Sequence, residues 1–162
     1  TQGAQPIVSY NYGARNAQRV RAAFRCLLRA CVTYSLLLWA LVQLFPRMFI
    51  LMFNSSPELV EYASWALRIY MAATGIFGVQ IACQQTFVAL GNAKTSLFLA
   101  ALRKIILLIP LIYILPNFFA DKAFAVFLAE PVADVLAVLT TSTMFAFQFK
   151  RSMAELEKRP EL

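Results

Sequence analysis

Four long apolar runs divide the chain, with short polar stretches between them. The first extends from about Leu27 to Phe45, stops at Pro46-Arg47 and trails into an apolar tail, Met48 to Phe53. Arg29 is its only charge and sits near one end, where its long side chain can reach the headgroups of a bilayer. Asn54-Ser55-Ser56-Pro57, followed by Glu58 and Glu61, reads as a loop over 54–62 and also as a helix start with acids in its first turn. The second run extends from about Ala63 to Leu90, and Gly91-Asn92-Ala93-Lys94 closes it with C-cap chemistry. The third, about Thr95 to Leu115, is interrupted by Arg103-Lys104, kinked at Pro110 and ended by Pro116-Asn117. The fourth, about Lys122 to Phe149, carries Glu130-Pro131 and Asp134. A helix needs about 20 apolar residues to cross a bilayer. The pattern therefore predicts an all-α polytopic membrane protein with four transmembrane helices at about 27–45, 63–90, 95–115 and 122–149.

The flanks differ from these runs. Residues 1–25 are mixed, punctuated by Pro6 and Gly13, with Arg15, Arg19, Arg21 and Arg25 spaced as on a helix lying at or entering an interface. They are expected to form the end of a preceding helix plus a basic interfacial loop or helix. Residues 150–162 are polar and charged and are expected to form a tail. The opening Thr1-Gln2-Gly3, with no initiator Met and no signal peptide, reads as a continuation of something longer.

Composition narrows the class. Of 162 residues, 60% are hydrophobic and 14% charged, and mean hydropathy is +0.65. Soluble domains average about 45–50% and about 25%. Such a chain cannot cover a globular surface with polar groups, which excludes a disordered segment, a nucleic-acid-binding domain and an ordinary cytosolic enzyme. The net charge of +7 then indicates a cytoplasmic bias, not a nucleic-acid partner. Nine basic residues (Arg15, Arg19, Arg21, Arg25, Lys94, Lys150, Arg151, Lys158, Arg159) fall on one side of the four runs and two (Arg47, Lys122) on the other. Both ends and the 91–95 turn are thus expected in the cytoplasm, and the loops near 54–62 and 116–122 outside. The three cysteines, Cys26, Cys31 and Cys83, lie in apolar runs without a CxxC pair, and the chain has no histidine. Neither a disulfide framework nor a metal site is expected, and no residue is expected to be catalytic.

Charge at depth is the main anomaly. Arg103, Lys104, Glu130 and Asp134 fall inside the last two runs, where an unpaired charge costs at least a few kcal/mol. At 1.5 Å per residue Arg103 lies about 12 Å from the inner edge, which leaves about 18 Å to the outer edge of a 30 Å core. Asp134 also lies about 18 Å from the outer edge, and Glu130 about 12 Å. Basic and acidic groups therefore share a level on adjacent helices. Two readings stand: a buried ion pair fixing helix register, with Arg103–Asp134 as the pair and Lys104 as the alternative partner, or a hydrated cavity wall or ion relay. Gln80 and Gln84 share one face of the second run, beside Cys83 and Gln85, and suit hydrogen bonding across helices or substrate contact. Gly75 and Gly78 suit close helix contact. Pro110 and Pro131 each remove a backbone donor and are candidate hinges.

The opening stretch Gly3-Ala4-Gln5-Pro6-Ile7-Val8-Ser9-Tyr10-Asn11-Tyr12-Gly13-Ala14, then Arg19-Val20, resembles a motif of the multidrug and toxic compound extrusion family, roughly G-x-Q-P-I-x-x-x-N-Y-G-A followed by R-V. Phe87 to Lys94, continuing through Leu102-Arg103-Lys104 to Ile109-Pro110-Leu111, resembles the family's tenth-to-eleventh helix junction. Ala129-Glu130-Pro131-Val132-Ala133-Asp134 resembles the last helix of its bacterial branch related to DNA-damage-inducible protein F. The resemblance implies a twelve-helix transporter of two six-helix lobes. This chain would supply the end of the eighth helix and the last four, in a bacterial inner membrane. It implies export of organic cations and other drugs in exchange for Na⁺ or H⁺, with no other cofactor. The implied partners are membrane lipids, the missing N-terminal part and drug-like cations. The best-known coupling carboxylate of this branch lies on the first helix, outside this chain. Other branches use acids on the seventh, eighth and tenth helices. The counterpart of the tenth here has Gln80, Gln84 and Gln85 and no acid, so analogy does not make Glu130 or Asp134 the ion site. A lipid-linked oligosaccharide flippase, an intramembrane enzyme built on Glu130 and Asp134, and a non-transporting membrane subunit are the rival readings.

Overall fold

The computed structural model describes residues 1–53 and 55–158, and every regular element among them is helical. Asn54, the first residue of the expected helix-start signal, and Arg159, one of the nine basic residues, lie outside the described residues, as does the rest of the tail from 160.

Helix α1 (Ala4–Gly13) ends in a corner whose left-handed residue is Arg15, at φ 55°. The sequence suggested Gly13 for the punctuation, yet Gly13 stays helical. Helix α2 (Ala17–Leu44) begins well before the expected Leu27. Its N-cap explains why: the Asn16 side chain accepts a 3.0 Å hydrogen bond from the Arg19 N–H, so the arginine-bearing turns are helical and continuous with the span. A short α3 (Pro46–Leu51) follows, with its proline in the first turn.

The second run is not one helix. It folds as α4 (Pro57–Tyr70) and α5 (Thr74–Ala89), bent by 46° at the break, which together make one broken span. Pro57 fits the predicted helix start. No proline marks the break. Its carbonyls are served from α2 instead: Gln43 Nε2 donates to Arg68 O at 2.9 Å, Trp39 Nε1 to Ala72 O at 2.9 Å, and Ser35 Oγ to Gly75 O at 3.0 Å. Ser35, Trp39 and Gln43 recur every four residues and so form one polar row down α2. In lipid a broken helix needs such partners for its freed groups. α5 then ends in a Schellman turn. Gly91 sits at φ 83°, Asn92 N–H donates to Phe87 O at 2.8 Å and Gly91 N–H to Val88 O at 3.0 Å, as the Gly-Asn pair predicts.

The third span runs from Ala93 to Asn117 as α6 (Ala93–Ala101), a π-helical stretch (Leu102–Leu108), α7 (Ile109–Ile114) and a closing 3₁₀ turn (Leu115–Asn117). The expected kink at Pro110 is realised as this wide turn. Pro110 has no N–H for the Ile106 carbonyl, and an i→i+5 turn lets the next donor serve it. Helix α8 (Lys122–Lys158) starts at Asp121, whose side chain caps the N–H groups of Ala123 and Phe124 at 2.9 and 3.1 Å. It passes unbroken through Pro131 and continues past Phe149 to Lys158, so the first part of the expected tail is helix. Its 37 residues reach about 55 Å, well beyond a bilayer core.

Among the described residues three helices are long and apolar enough to cross a membrane, and the bent pair α4/α5 makes a fourth if it is counted as one span. α2 and α5 cross closely at Gly78. Ala125, Ala129, Ala133 and Ala137 form a fully buried small-residue row that lets α8 approach its neighbours. At the basic end Val8, Val20, Ala89 and Met153 bring α1, α2, α5 and α8 together. Above them lies an aromatic layer: Phe145 packs on Phe24, Phe149 and Phe87 with centroids 4.6, 4.9 and 5.2 Å apart. Exposed Leu37, Leu97, Tyr113 and Phe147 leave the outside apolar, as lipid requires.

Candidate functional site

The four charges at depth meet in one cluster. Arg103 and Lys104 lie on the π-helical stretch of the third span, and Glu130 and Asp134 lie one turn apart on α8. Arg103 Nε donates to Asp134 Oδ1 at 2.5 Å, and its Nη2 donates to Glu130 Oε1 at 3.0 Å. Lys104 Nζ donates to the same Glu130 oxygen at 2.9 Å. The expected single pair with an alternative partner is therefore a four-membered network, with Arg103 as the bridge. The π-helical winding accounts for it: consecutive side chains diverge less than on an α-helix, so two adjacent bases face one carboxylate.

The cluster has a dry interior and one wet edge. The side chains of Asp134 and Glu130 are 7% and 8% exposed and that of Arg103 18%, whereas Lys104 is 52% exposed. The remaining face of Arg103 is covered by Phe77 of α5, whose ring centroid lies 4.2 Å from the guanidinium carbon. This cation–π contact joins the broken span to the cluster. Sequence reasoning missed Phe77. It stands one turn from Gln80 on the same helix face, and that was the available signal. With every member ionised the charges cancel, so the arrangement satisfies itself inside the lobe.

Other expected site residues lie elsewhere. Gln80 is buried on α5, and neither its Oε1 nor Nε2 of Gln84 has a hydrogen-bond partner among the described residues, so these atoms make no bond across the helices described. Pro110 follows the π-helical stretch, and Pro131 is buried in continuous helix beside Glu130. The motif residues Gln5, Pro6, Tyr10, Asn11, Tyr12 and Gly13 are all in α1 at the basic end, away from the cluster. Asn11 is buried and donates to Ile7 O at 2.7 Å, while Ser9 Oγ donates to Ala89 O at 2.9 Å and ties α1 to the end of α5. Within the motif stretch Val8 and Asn11 thus pack the corner, while Pro6, Tyr10 and Gly13 are exposed. Arg21 and Glu157 form a 2.6 Å ion pair across the same end. A cleft of about 450 Å³ between α2 and α5, lined by Cys31, Tyr34, Thr74 and Phe77 among others, borders the cluster's aromatic face.

Comparisons with known proteins agree with this architecture. The MATE multidrug transporter DinF-BH, solved in complex with rhodamine 6G, superposes with a TM-score of 0.81 and 34% identity, over 90% of this chain and 32% of its own. The Vibrio cholerae transporter VcmN in its bent form superposes with a TM-score of 0.78 at 18% identity, over 91% of this chain and 33% of its own, which concerns the fold alone. A Shewanella oneidensis protein named FAD transporter is 24% identical over 131 residues, 81% of this chain and 28% of its own length. The chain therefore spans about a third of the length of the proteins it matches. The MatE family model covers residues 1–114, and with this match, the helical fold and the transporter likeness together, the chain belongs to the MatE family.

Proposed function

We propose that the chain forms four spans of the second lobe of a secondary exporter that moves organic cations and other drug-like molecules out of a bacterial cell in exchange for H⁺ or Na⁺. The observation that carries this reading is the 34% identity to the multidrug transporter DinF-BH, sustained over 90% of the chain at a TM-score of 0.81. Alternating access rocks one lobe against the other, so a lobe needs internal ties that survive movement in lipid. The charge cluster and the polar row on α2 are such ties. Glu130 and Asp134 serve this bracing role here, and the exchange carboxylate is assigned to neither.

The test is the full-length transporter in proteoliposomes under an imposed pH or Na⁺ gradient. Movement of the rhodamine dye should follow one gradient and stop when that gradient is collapsed. The named FAD transporter among the relatives supports a second reading, an anionic flavin nucleotide as cargo, with half-exposed Lys104 as its contact. FAD movement without dye movement would select that reading, and movement of neither would sink export.

The proposed sidedness puts the basic end in the cytoplasm. It rests on Arg19, Arg21, Arg25, Lys94, Lys150 and Arg151, which the helix order places at one end. In a background lacking the three native cysteines, Ser55→Cys and Asn117→Cys should react with an impermeant maleimide on whole cells, and Asn92→Cys only after lysis. The reverse pattern overturns the orientation.

A further inference from the structure

Three buried polar atoms between the charge cluster and the aromatic layer have no hydrogen-bond partner among the described residues: Gln80 Oε1 and Gln84 Nε2 on α5, and Thr141 Oγ1 on α8. Two ties bring these helices into approximate register. Phe77 and Asp134 both touch the guanidinium of Arg103, so they stand within one side-chain head of the same height. Phe87 and Phe145 are level, because their rings pack 5.2 Å apart. The two ties lie nearly the same number of residues apart on α5 and α8, so the helices run parallel in step. Gln84, three residues before Phe87, then falls level with Thr141, four before Phe145. Gln80 falls one turn nearer the cluster. Gln80 and Gln84 stand seven and three residues before Phe87, and Thr141 four before Phe145, so helix spacing puts all three on the faces that these two touching rings occupy.

The partner of these atoms must be small. Gln80 is 1% exposed and Thr141 fully buried within this chain alone, so a second lobe packed outside cannot reach them. Their chemistry is mixed: an amide oxygen accepts, an amide nitrogen donates and a hydroxyl does either. Water meets all three needs at once, and buried waters typically make about three hydrogen bonds. A bare cation would be opposed by the Gln84 amide hydrogens. Neighbouring threonines show that the geometry at 141 is particular. Thr140 and Thr143 donate to the carbonyls of Leu136 and Leu139 at 2.8 Å, whereas the Thr141 hydroxyl makes no such bond.

We propose that Gln80, Gln84 and Thr141 hold an ordered internal water between α5 and α8, inward of the charge cluster and closed toward the basic end by Phe87 and Phe145. The site does not depend on what the lobe transports. It gives the buried polar layer a hydrated inner flank and stops that layer at the aromatic rings.

The test uses the full-length transporter purified in detergent. Thr141→Val removes one bond to the water and strands the others, so the unfolding midpoint should fall by about 2 °C. Gln84→Leu should do the same, and the two changes combined should cost less than their sum. If the atoms are simply unpaired, or if the glutamines serve only each other, Thr141→Val leaves the midpoint unchanged or raises it, and the proposal fails. A measurement on the unaltered protein covers variants that do not fold. X-ray radiolysis turns bound water into hydroxyl radicals, so the rings of Phe87 and Phe145 that close the site should be hydroxylated at a rate matching exposed aromatic residues. Labelling of both rings as slow as that of buried Leu99 in the same apolar cluster overturns the site. A Na⁺-specific rise in the midpoint that Thr141→Val abolishes would also overturn it, in favour of a cation.

Discussion

Arg103→Gln is expected to be the most damaging change in the charge cluster, lowering stability of the full-length transporter by about 3–5 kcal/mol. The loss follows from what it leaves behind. Asp134 and Glu130, each less than a tenth exposed, would face one another with Lys104 as the remaining base of the cluster, and Lys104 is paired with Glu130. Asp134→Asn should cost less, since Arg103 keeps Glu130 and the cation–π contact with Phe77. Lys104→Gln should cost least, about 1 kcal/mol or below, because its side chain is half exposed and an exposed pair contributes little. Arg103→Gln combined with Asp134→Asn should recover much of the loss, the signature of a direct pair. Folded yield and thermal unfolding in detergent check the order. If Asp134→Asn folds like the parent and abolishes drug efflux, the carboxylate cycles during transport and the bracing role is wrong.

The legible parts of this fold were those with a local cause. Four apolar runs, the Gly91-Asn92 cap and the common depth of Arg103 and Asp134 all follow from composition and spacing. What was missed has causes distant in sequence. The start of α2 lies among arginines that an apolar pattern discounts, although Asn16 is a good cap and helices extend past the bilayer core. The break between α4 and α5 carries no proline, and the groups that serve it sit on another helix, where Ser35, Trp39 and Gln43 donate to its carbonyls. Their four-residue spacing on an apolar helix was visible and had no meaning until the partner carbonyls were known. The π-helical stretch could have been suspected from Pro110 a turn and a half past Arg103-Lys104. Its consequence, two adjacent bases on one carboxylate, could not, because helix spacing places neighbours 100° apart. Phe77 and Thr141 drew no notice, since a phenylalanine or threonine in an apolar run is ordinary until its neighbours are known.

Gly78→Ala is expected to be nearly as severe, and for a reason that a contact at its own position understates. A Cβ there would overlap the carbonyl oxygen of Cys31 and lie 2.5 Å from Ser35 Oγ and 2.7 Å from the Cys31 carbonyl carbon. Two of these atoms are backbone and cannot rotate away, so α2 and α5 must separate. Overpacking alone costs about 1–3 kcal/mol. Separation also pulls the α2 polar row from the carbonyls of Arg68, Ala72 and Gly75 in the broken span, each bond worth about 1 kcal/mol and more if the carbonyl is left bare in lipid. The total reaches about 3 kcal/mol or more, enough to collapse folded yield. Gly75→Ala is the control: the nearest atoms to its Cβ would be side-chain atoms of Leu36 and Trp39 at 3.3–3.5 Å, which can yield by a few tenths of an ångström, so the loss should stay at about 1 kcal/mol. Adding Ser35→Ala to Gly78→Ala removes the hydroxyl contact but not the Cys31 backbone, so it should give no rescue. A Gly78→Ala transporter with the parent's monodisperse yield and unfolding midpoint would show that α2 and α5 do not cross at this glycine.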